Sequence, residues 1–168
     1  TSSNGQLMQS AITIIDNSTG DIAAIVGRVG EKTGNRWKNF ATEAYRQPGS
    51  SIKPLSVYSP GLEMGVITPI TIVDDYPYQL MNGSPWPINS GSAKYRGLTT
   101  VRSGLARSVN TIALRVLADR VTVDASFNFV EDRYHIDLVQ AQQSGDTVQS
   151  DMSLAPLSMG GLTKGVTT

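Results

Sequence analysis

Apolar and polar residues near the start of the chain form two short runs rich in β-branched side chains. The runs cover residues 11–16 (AITIID) and 21–26 (DIAAIV), and the turn-forming cluster Asn17-Ser18-Thr19-Gly20 separates them. Two such runs joined by a turn that ends in glycine are typical of adjacent antiparallel strands. The pattern predicts a β-hairpin, followed over residues 27–49 by an irregular loop with several glycines and a few aromatic anchors.

Helical patterning starts after this loop. Residues 50–64 carry apolar side chains at helical spacing, with Pro54 near the first turn, where proline is tolerated, and Pro60-Gly61 expected to end or kink the helix. Thr100 is a good N-cap for a helix that extends to about Arg107, and Asp124 for a later helix. Between them a further helical face is formed by Ile112, Ala113, Val116, Leu117 and Arg120.

Residues 68–97 lack this regularity. They hold Asn82-Gly83 and several prolines, so we expect a turn-rich segment that is too long for a simple connection. The tail, residues 154–168, shows no closing element. A hairpin followed by helices predicts an α/β (α+β) domain. Two strands are too few to shelter that many helices, so we expect later strands of a sheet to be missing from this chain.

Composition narrows the function classes. The chain has 168 residues, of which 14 are basic and 14 acidic, with a formal net charge of zero and no cysteine. The balanced charge gives no electrostatic footprint for nucleic acid or for an anionic membrane surface. The lack of cysteine excludes a disulfide framework, a thiolate zinc site and a cysteine nucleophile. Residues 1–10 show no signal or spanning segment, so we expect any membrane anchor of a parent protein to lie outside this sequence.

Two further kinds of site are disfavoured. His135 is the single histidine and lies at the end of a predicted helix. A Ser-His-Asp triad or a histidine metal cluster would depend on it alone, so we expect a structural role. Gly27, Gly30 and Gly34 do not have the spacing of a phosphate-binding loop. We therefore predict no metal and no other cofactor.

Ser50 and Lys53 form a sharper candidate site, since the sequence reads Ser50-Ser51-Ile52-Lys53 at a predicted helix start. Residues three apart share one helix face, which places the lysine amine beside the serine hydroxyl. A neutral or proton-shuttling lysine can activate that serine as a nucleophile, and the helix N-terminus favours an oxyanion. At this composition chance supplies about half of one such match, so the spacing alone does not decide.

A second element of this chemistry, serine-x-asparagine, occurs three times, and its surroundings select Ser108-Val109-Asn110. The stretches RQPGSSIKP (residues 46–54) and LARSVN (residues 105–110) resemble the first two active-site motifs of the penicillin-binding proteins, specifically the transpeptidase domain of the bifunctional, class A high-molecular-mass group. The resemblance covers about residues 11–168. It includes NFAT at 39–42, VDD at 73–75, WPIN at 86–89, YRG at 95–97, MGG at 159–161 and GVT at 165–167.

The resemblance implies a serine transpeptidase fold of the penicillin-binding-protein/β-lactamase type and four site residues. Ser50 is the expected acylated nucleophile and Lys53 its proton acceptor and donor. Ser108 is expected to relay protons to the leaving group, and Asn110 to bind the acyl-side amide of the substrate. The implied reaction is D,D-transpeptidation of peptidoglycan stem peptides at the extracytoplasmic face of the bacterial membrane, with β-lactams as covalent inhibitors. The other two matches, Ser2-Ser3-Asn4 and Ser126-Phe127-Asn128, are expected to be decoys.

The third motif of the family, Lys-Thr-Gly on a later strand, is not found after Asn110. Lys32-Thr33-Gly34 precedes the nucleophile and is interpreted as a coincidence, and Lys164-Gly165 lacks the threonine. We therefore expect residues 1–168 to be the N-terminal part of the transpeptidase domain. On this interpretation the C-terminal remainder of the domain is a required partner, and residues 1–168 alone are inactive and poorly folded.

Two alternatives stay open. A β-lactam sensor or a β-lactamase uses the same serine-lysine chemistry, and of these only a β-lactamase releases hydrolysed drug. A non-catalytic wall-binding module descended from such an enzyme would still bind cell wall after Ser50→Ala and would form no covalent adduct.

Overall fold

The computed structural model describes Ser3, Gly5 and residues 7–91 and 95–168. The chain divides into two units. Unit 1 consists of Thr1–Arg46 with Gly165–Thr168, and unit 2 consists of Gln47–Lys164. None of the helices in the described ranges has the length and apolar character that crossing a lipid bilayer requires.

Unit 1 contains the predicted hairpin. β1 (Ile12–Ile15) pairs antiparallel with β2 (Ile22–Val26). Asp16 closes the turn, because its carboxylate accepts hydrogen bonds from the backbone N–H and the hydroxyl of Ser18. The hairpin prediction is confirmed. Its large aliphatic side chains are exposed on both faces, namely Ile12, Ile14, Ile15, Ile22, Ile25 and Val26.

The segment after the hairpin is irregular, as predicted, except for one short helix. α1 (Phe40–Glu43) follows Asn39, whose side-chain oxygen accepts a hydrogen bond from Ala41 N at 3.0 Å. Four residues are too few to show a helical period, so the pattern of the sequence could not reveal this helix.

A helical run carries Ser50 and Lys53 in unit 2. It starts as a 3₁₀ turn (Gly49–Ile52), continues as a π turn (Pro54–Tyr58) and finishes as α2 (Ser59–Glu63). Pro60-Gly61 was predicted to end or kink the helix; the helix does not end there, because both residues lie buried inside α2.

Ser126 explains how the run accommodates Pro60. A proline has no N–H to donate to the carbonyl four residues before it. The Ser56 carbonyl, which occupies that position, instead accepts a hydrogen bond of 2.5 Å from the Ser126 hydroxyl. A side chain from another helix therefore satisfies the backbone group that the proline leaves unpaired.

Residues 68–97 contain more strand than predicted. β3 (Ile72–Asp75) pairs antiparallel with β6 (Gly97–Thr100), and β4 (Gln79–Met81) pairs with β5 (Ser84–Trp86). Asn82 and Gly83 join β4 to β5 with φ of 50° and 77°, the left-handed conformations that a tight hairpin turn requires. The expectation of only two strands is wrong, because strands of three or four residues are too short to show alternation.

Three helices follow. α3 (Val101–Ala106) begins at the predicted cap, since the Thr100 side chain accepts a hydrogen bond from Ser103 N. α4 (Asn110–Val116) runs into a second π turn (Leu117–Val121). α5 (Val123–Tyr134) is capped by Thr122, which accepts from Ala125 N, and not by Asp124 as predicted. Asp124 lies in the first turn of α5, where a negative charge suits the helix dipole.

The last part of the chain contains more regular structure than the sequence indicated, since no closing element was expected in the tail, residues 154–168. β7 (Gln142–Ser144) and β8 (Thr147–Gln149) form a hairpin, and α6 (Leu154–Met159) follows. In unit 1, Val166 and Arg46 exchange two backbone hydrogen bonds of 2.8 Å. The core of unit 2 centres on α4 and the π turn after it, whose fully buried side chains include Ile112, Ala113, Leu114, Val116, Leu117 and Val121.

Candidate active site

Ser50 lies in the 3₁₀ turn and is exposed. Within the described part of the chain its hydroxyl makes no hydrogen bond. The neighbouring hydroxyl is engaged, because Ser51 Oγ donates to the Pro48 carbonyl at 2.7 Å. The backbone N–H of Lys53 donates to the Ser50 carbonyl, which links the two residues of the Ser-x-x-Lys motif directly. Of the two adjacent serines, Ser50 therefore offers the hydroxyl that is available for chemistry.

The backbone before Ser50 is held by a close approach between two glycines. Gly49 N–H donates to the Gly160 carbonyl at 3.2 Å. A Cβ added at Gly160 would lie 2.0 Å from the Gly49 carbonyl oxygen, much closer than non-bonded atoms allow. Gly160 also has a φ of +78°, in the left-handed region. Only glycine fits at this position, which fixes the start of the 3₁₀ turn against the end of α6.

Lys53 is buried, with 1% of its surface exposed, yet its amine has three oxygen partners. Nζ donates to the Ser108 carbonyl at 2.8 Å, to Asn110 Oδ1 at 2.6 Å and to Ser108 Oγ at 3.2 Å. Burial disfavours the charged ammonium and lowers the pKa of Lys53 to about 8. A lysine with this pKa can hold or release a proton near neutral pH, as a proton shuttle must.

The turn between α3 and α4 brings Ser108 and Asn110 to the lysine. Ser108 has a φ of 53°, in the left-handed region that non-glycine residues rarely adopt. The turn is closed by hydrogen bonds of 2.9 Å from Ser108 N–H to Leu105 O and from Val109 N–H to Gly104 O. The conformation places both the carbonyl and the hydroxyl of Ser108 within reach of Lys53 Nζ. The structure thus brings together three of the four predicted residues through side-chain hydrogen bonds, and Ser50 lies one turn before Lys53.

A polar network behind Asn110 was not predicted from the sequence. Asn89 Oδ1 accepts the backbone N–H groups of Asn110 and Thr111, at 3.0 and 3.2 Å. Asn110 Nδ2 donates to the Ile88 carbonyl at 2.7 Å. The segment before β6 therefore holds Asn110 by its backbone and by its side chain.

Asp75, at the end of β3, is the centre of this network. Its side chain is buried, with 1% of the residue exposed. It accepts hydrogen bonds from Asn89 Nδ2 at 2.8 Å, from Thr111 Oγ1 at 2.5 Å and from Arg96 N at 3.1 Å. Asp75 and Asn89 both lie in segments that carry the family resemblance (VDD and WPIN), which is the one signal in the sequence that could have drawn attention to them.

Comparison with known proteins identifies the family. Residues 10–158 match the family model described as the penicillin binding protein transpeptidase domain. The chain belongs to this family. The resemblance to the transpeptidase domain of class A penicillin-binding proteins is confirmed, and so is the expected α/β (α+β) fold.

The relatives of this transpeptidase-family chain include penicillin-binding proteins 1A of several bacteria. The chain is 31% identical over 171 residues to the protein of Clostridium botulinum strain Hall, covering 97% of this chain and 19% of the relative. It is 38% identical over 115 residues to that of Neisseria lactamica, covering 66% and 14%. A crystal structure of penicillin-binding protein 1A from Haemophilus influenzae matches with a TM-score of 0.70 and 27% identity, over 92% of this chain and 21% of that one. The chain spans about a fifth of the length of these relatives.

The decoy interpretation can be tested at one of the two other Ser-x-Asn sequences. Ser126 is buried in α5 and its hydroxyl donates to the Ser56 carbonyl, while Asn128 is exposed. This pair therefore has a structural role in unit 2. Ser2 and Asn4 lie outside the described residues.

The structure of this penicillin-binding-protein domain also shows where His135 and the sequence Lys32-Thr33-Gly34 lie. His135 is the C-cap of α5, with a φ of 52° and an N–H that donates to Glu131 O. Lys32-Thr33-Gly34 lies in the irregular segment of unit 1, whereas Ser50, Lys53, Ser108 and Asn110 all belong to unit 2. The described ranges contain no cluster of three or more side chains suited to hold a metal ion.

Proposed function

We propose that this chain carries the nucleophile of a D,D-transpeptidase that cross-links peptidoglycan stem peptides through a serine acyl-enzyme and is acylated by β-lactams. The observation that carries the proposal is the buried Lys53 amine, bonded to Ser108 and Asn110 and one turn from the exposed Ser50. The four residues keep their predicted roles, with Ser50 as nucleophile and Lys53 as its base.

Acylation needs two proton transfers, one from Ser50 to Lys53 and one from Lys53 to the leaving amine. Ser50 Oγ attacks the carbonyl carbon between the two terminal D-alanines, and its proton passes to the neutral Lys53 amine. The C–N bond then breaks, and the same proton reaches the departing D-alanine amine through Ser108, whose hydroxyl lies 3.2 Å from Lys53 Nζ. An amine of a neighbouring stem attacks the resulting ester and gives a proton to Lys53. The C–O bond to Ser50 then breaks, and Lys53 returns that proton to Ser50 Oγ, which restores the hydroxyl.

Asn110 has hydrogen-bonding capacity left for substrate. Its amide carries two N–H groups and two acceptor lone pairs. Ile88 O takes one N–H, and Lys53 takes one lone pair. The second N–H remains for the carbonyl of the acyl-side amide. The Ser50 backbone N–H supplies one donor for the oxyanion, and such donors are worth about 100- to 1000-fold each in comparable sites.

Residues 1–168 form, on this proposal, the N-terminal part of the transpeptidase domain. Support comes from the share of its relatives that the chain spans, 19% for the Clostridium botulinum protein. The uncovered aliphatic faces of β1 and β2 give further support. The second oxyanion donor and the Lys-Thr-Gly strand then come from the C-terminal remainder. Since the substrate is a cell-wall polymer, we place the site on the extracytoplasmic face.

The test is the intact mass of the full-length protein before and after incubation with a labelled penicillin. We expect one added drug mass on the peptide that contains Ser50, its loss in Ser50→Ala and its retention in Ser51→Ala. Ser51 is the matched control, because its hydroxyl is bound to Pro48 O. A folded protein that forms no adduct but binds cell wall would contradict the proposal and favour a wall-binding module. Catalytic release of hydrolysed drug would contradict it in favour of a β-lactamase.

A further inference from the structure

We propose that Asn89, anchored by the buried carboxylate of Asp75, is a positioning residue that sets the orientation of Asn110 and thereby the contacts of the Lys53 amine. The inference rests on the proposed function, because it concerns how the same serine-lysine site is kept ready for acylation. Neither residue touches the reacting atoms; both act through Asn110.

Asn89 supplies the N-terminal cap of α4 from a distant segment. The N-cap residue of α4 is Val109, which has no side-chain oxygen and makes no capping hydrogen bond. The first two N–H groups of the helix, those of Asn110 and Thr111, instead donate to Asn89 Oδ1. A helix end without such an acceptor has unsatisfied N–H groups and is free to fray. Asn89 therefore fixes the backbone of Asn110.

Ile88, the residue next to Asn89, fixes the side chain of Asn110. An asparagine amide can present either its oxygen or its nitrogen in a given direction. Asn110 Nδ2 donates to the Ile88 carbonyl at 2.7 Å, so the oxygen is left to accept from Lys53 Nζ at 2.6 Å. If the amide were reversed, two N–H groups would face the lysine amine and the Ile88 carbonyl would lose its donor.

Asp75 fixes the orientation of Asn89 in turn. Asn89 Nδ2 donates to Asp75 Oδ1 at 2.8 Å, which directs Asn89 Oδ1 to the start of α4. Thr111 Oγ1 donates to the same carboxylate oxygen, so Asp75 also contacts α4 directly. With Arg96 N–H as the third donor, the carboxyl group of Asp75 holds Asn89 and Thr111 in fixed positions. The order of contacts is thus Asp75, Asn89, Asn110 and Lys53, each through at least one hydrogen bond of 3.0 Å or less.

The experiment exchanges the two partners in the full-length protein. Asn89→Asp places two carboxylates side by side, and we expect the acylation rate constant at saturating penicillin to fall about 100-fold, as a displacement near 1 Å can produce. In the reciprocal double variant, Asp75→Asn with Asn89→Asp, the amide and carboxylate change places and can bond again, so we expect at least tenfold of that loss to be recovered. Asp74→Asn, an exposed neighbour in β3, is the control and should acylate at the wild-type rate.

The readouts separate positioning from folding. Melting temperature reports whether each variant is folded, and the split between penicillin dissociation constant and acylation rate constant reports where the loss lies. We expect the loss in the rate constant. Wild-type rates in folded Asn89→Asp would overturn the inference, and so would a double variant that regains its melting temperature but not its acylation. If wild type itself formed no adduct, the proposed function would fail instead, and the two failures are thus distinguishable.

Discussion

Burial changes what Lys53 can do. An exposed lysine has a pKa near 10.4 and is charged at neutral pH, so it cannot accept a proton from a serine. Burial lowers the pKa of Lys53 to about 8, while three oxygens still stabilise its protonated form. The side chain can therefore take a proton from Ser50 and return it.

Acylation should accordingly depend on pH through this one group. Because the neutral amine is the reactive form, we expect the acylation rate of wild type to rise with pH and to level off above about 8. Stopped-flow kinetics with a chromogenic β-lactam measures this profile.

Lys53→Arg is the matched control for the pH profile. An arginine stays charged at every accessible pH and can still donate to Ser108 and Asn110. We expect slow, pH-independent acylation. A wild-type rate that does not change around pH 8, or an active Lys53→Arg variant, would contradict the assignment of Lys53 as the base.

Gly160 and Gly161 provide a test of whether the contact between Gly160 and Gly49 positions Ser50. Gly160→Ala forces a Cβ into the Gly49 backbone, while Gly161 has open space around its Cβ position. We expect Gly160→Ala to slow acylation about 100-fold, since it displaces the turn that carries Ser50, and Gly161→Ala to react normally. Equal rates of labelled-penicillin binding in the two variants would show that the contact does not position the nucleophile.

The four central residues of the site could be predicted from the sequence, whereas the residues that hold them in place could not. The spacing of Ser50-x-x-Lys53 and Ser108-x-Asn110 named four residues, and the structure joins Lys53 to Ser108 and Asn110; their catalytic roles stay predictions. Asn89 acts on backbone N–H groups more than 20 residues away in sequence. No local pattern encodes such a contact, because it depends on how β3, the 88–89 segment and α4 pack together.

Among the elements, the helical run of residues 49–63 depends on a donor from another helix. Pro60 cannot pair with the Ser56 carbonyl, and the Ser126 hydroxyl does so. The hydroxyl of Ser56 in turn donates to Leu157 O in α6, so two serines connect α5, the π turn and α6.

Ser126→Ala should therefore destabilise the protein. It leaves the buried Ser56 carbonyl without a partner, which costs about 1–3 kcal/mol. We expect a lower midpoint in urea unfolding of the full-length protein. Asn128 lies two residues later in α5 and is exposed, so Asn128→Ala should leave the midpoint unchanged. If the two substitutions cost the same, the Ser126 hydroxyl does not substitute for the missing N–H of Pro60.

Elements were predictable where they were long or had clear caps. α3 with its Thr100 cap was predicted correctly, and so was the hairpin, because its strands lie in longer β-branched runs on either side of a clear turn sequence. The short strands β3 to β8 were missed, since three or four residues do not establish a period, and the cap of α5 was placed two residues late because two good capping residues, Thr122 and Asp124, compete there.

At the scale of the whole molecule, burial is uneven. α4 and the π turn after it contain six hydrophobic side chains with no exposed surface, whereas the large aliphatic side chains of β1 and β2 are exposed by 40% or more. On the proposal that residues 1–168 are the N-terminal part of a larger domain, we expect the remainder of that domain to cover these aliphatic faces.

Hydrogen–deuterium exchange tests this expectation. In the full-length protein we expect the amides of the hairpin to be protected together with those of α4, because further strands cover the hairpin on the proposal above, and local opening is easiest where few apolar contacts are made. The slowly exchanging amides of α4 serve as the internal reference. Fast exchange in the hairpin beside slow exchange in α4 would contradict the proposal that further strands cover it.

The 3₁₀ turn at Gly49–Ile52 gives the spacing of the first motif a geometric meaning. A 3₁₀ helix turns about 120° per residue and an α-helix about 100°. Three residues complete a full revolution in the first case and fall about 60° short in the second. The hydrogen bond from Lys53 N–H to Ser50 O closes such a three-residue turn. Ser50 and Lys53 therefore lie on the same side of the helical run, and a lysine one position later would lie about a third of a revolution away from Ser50.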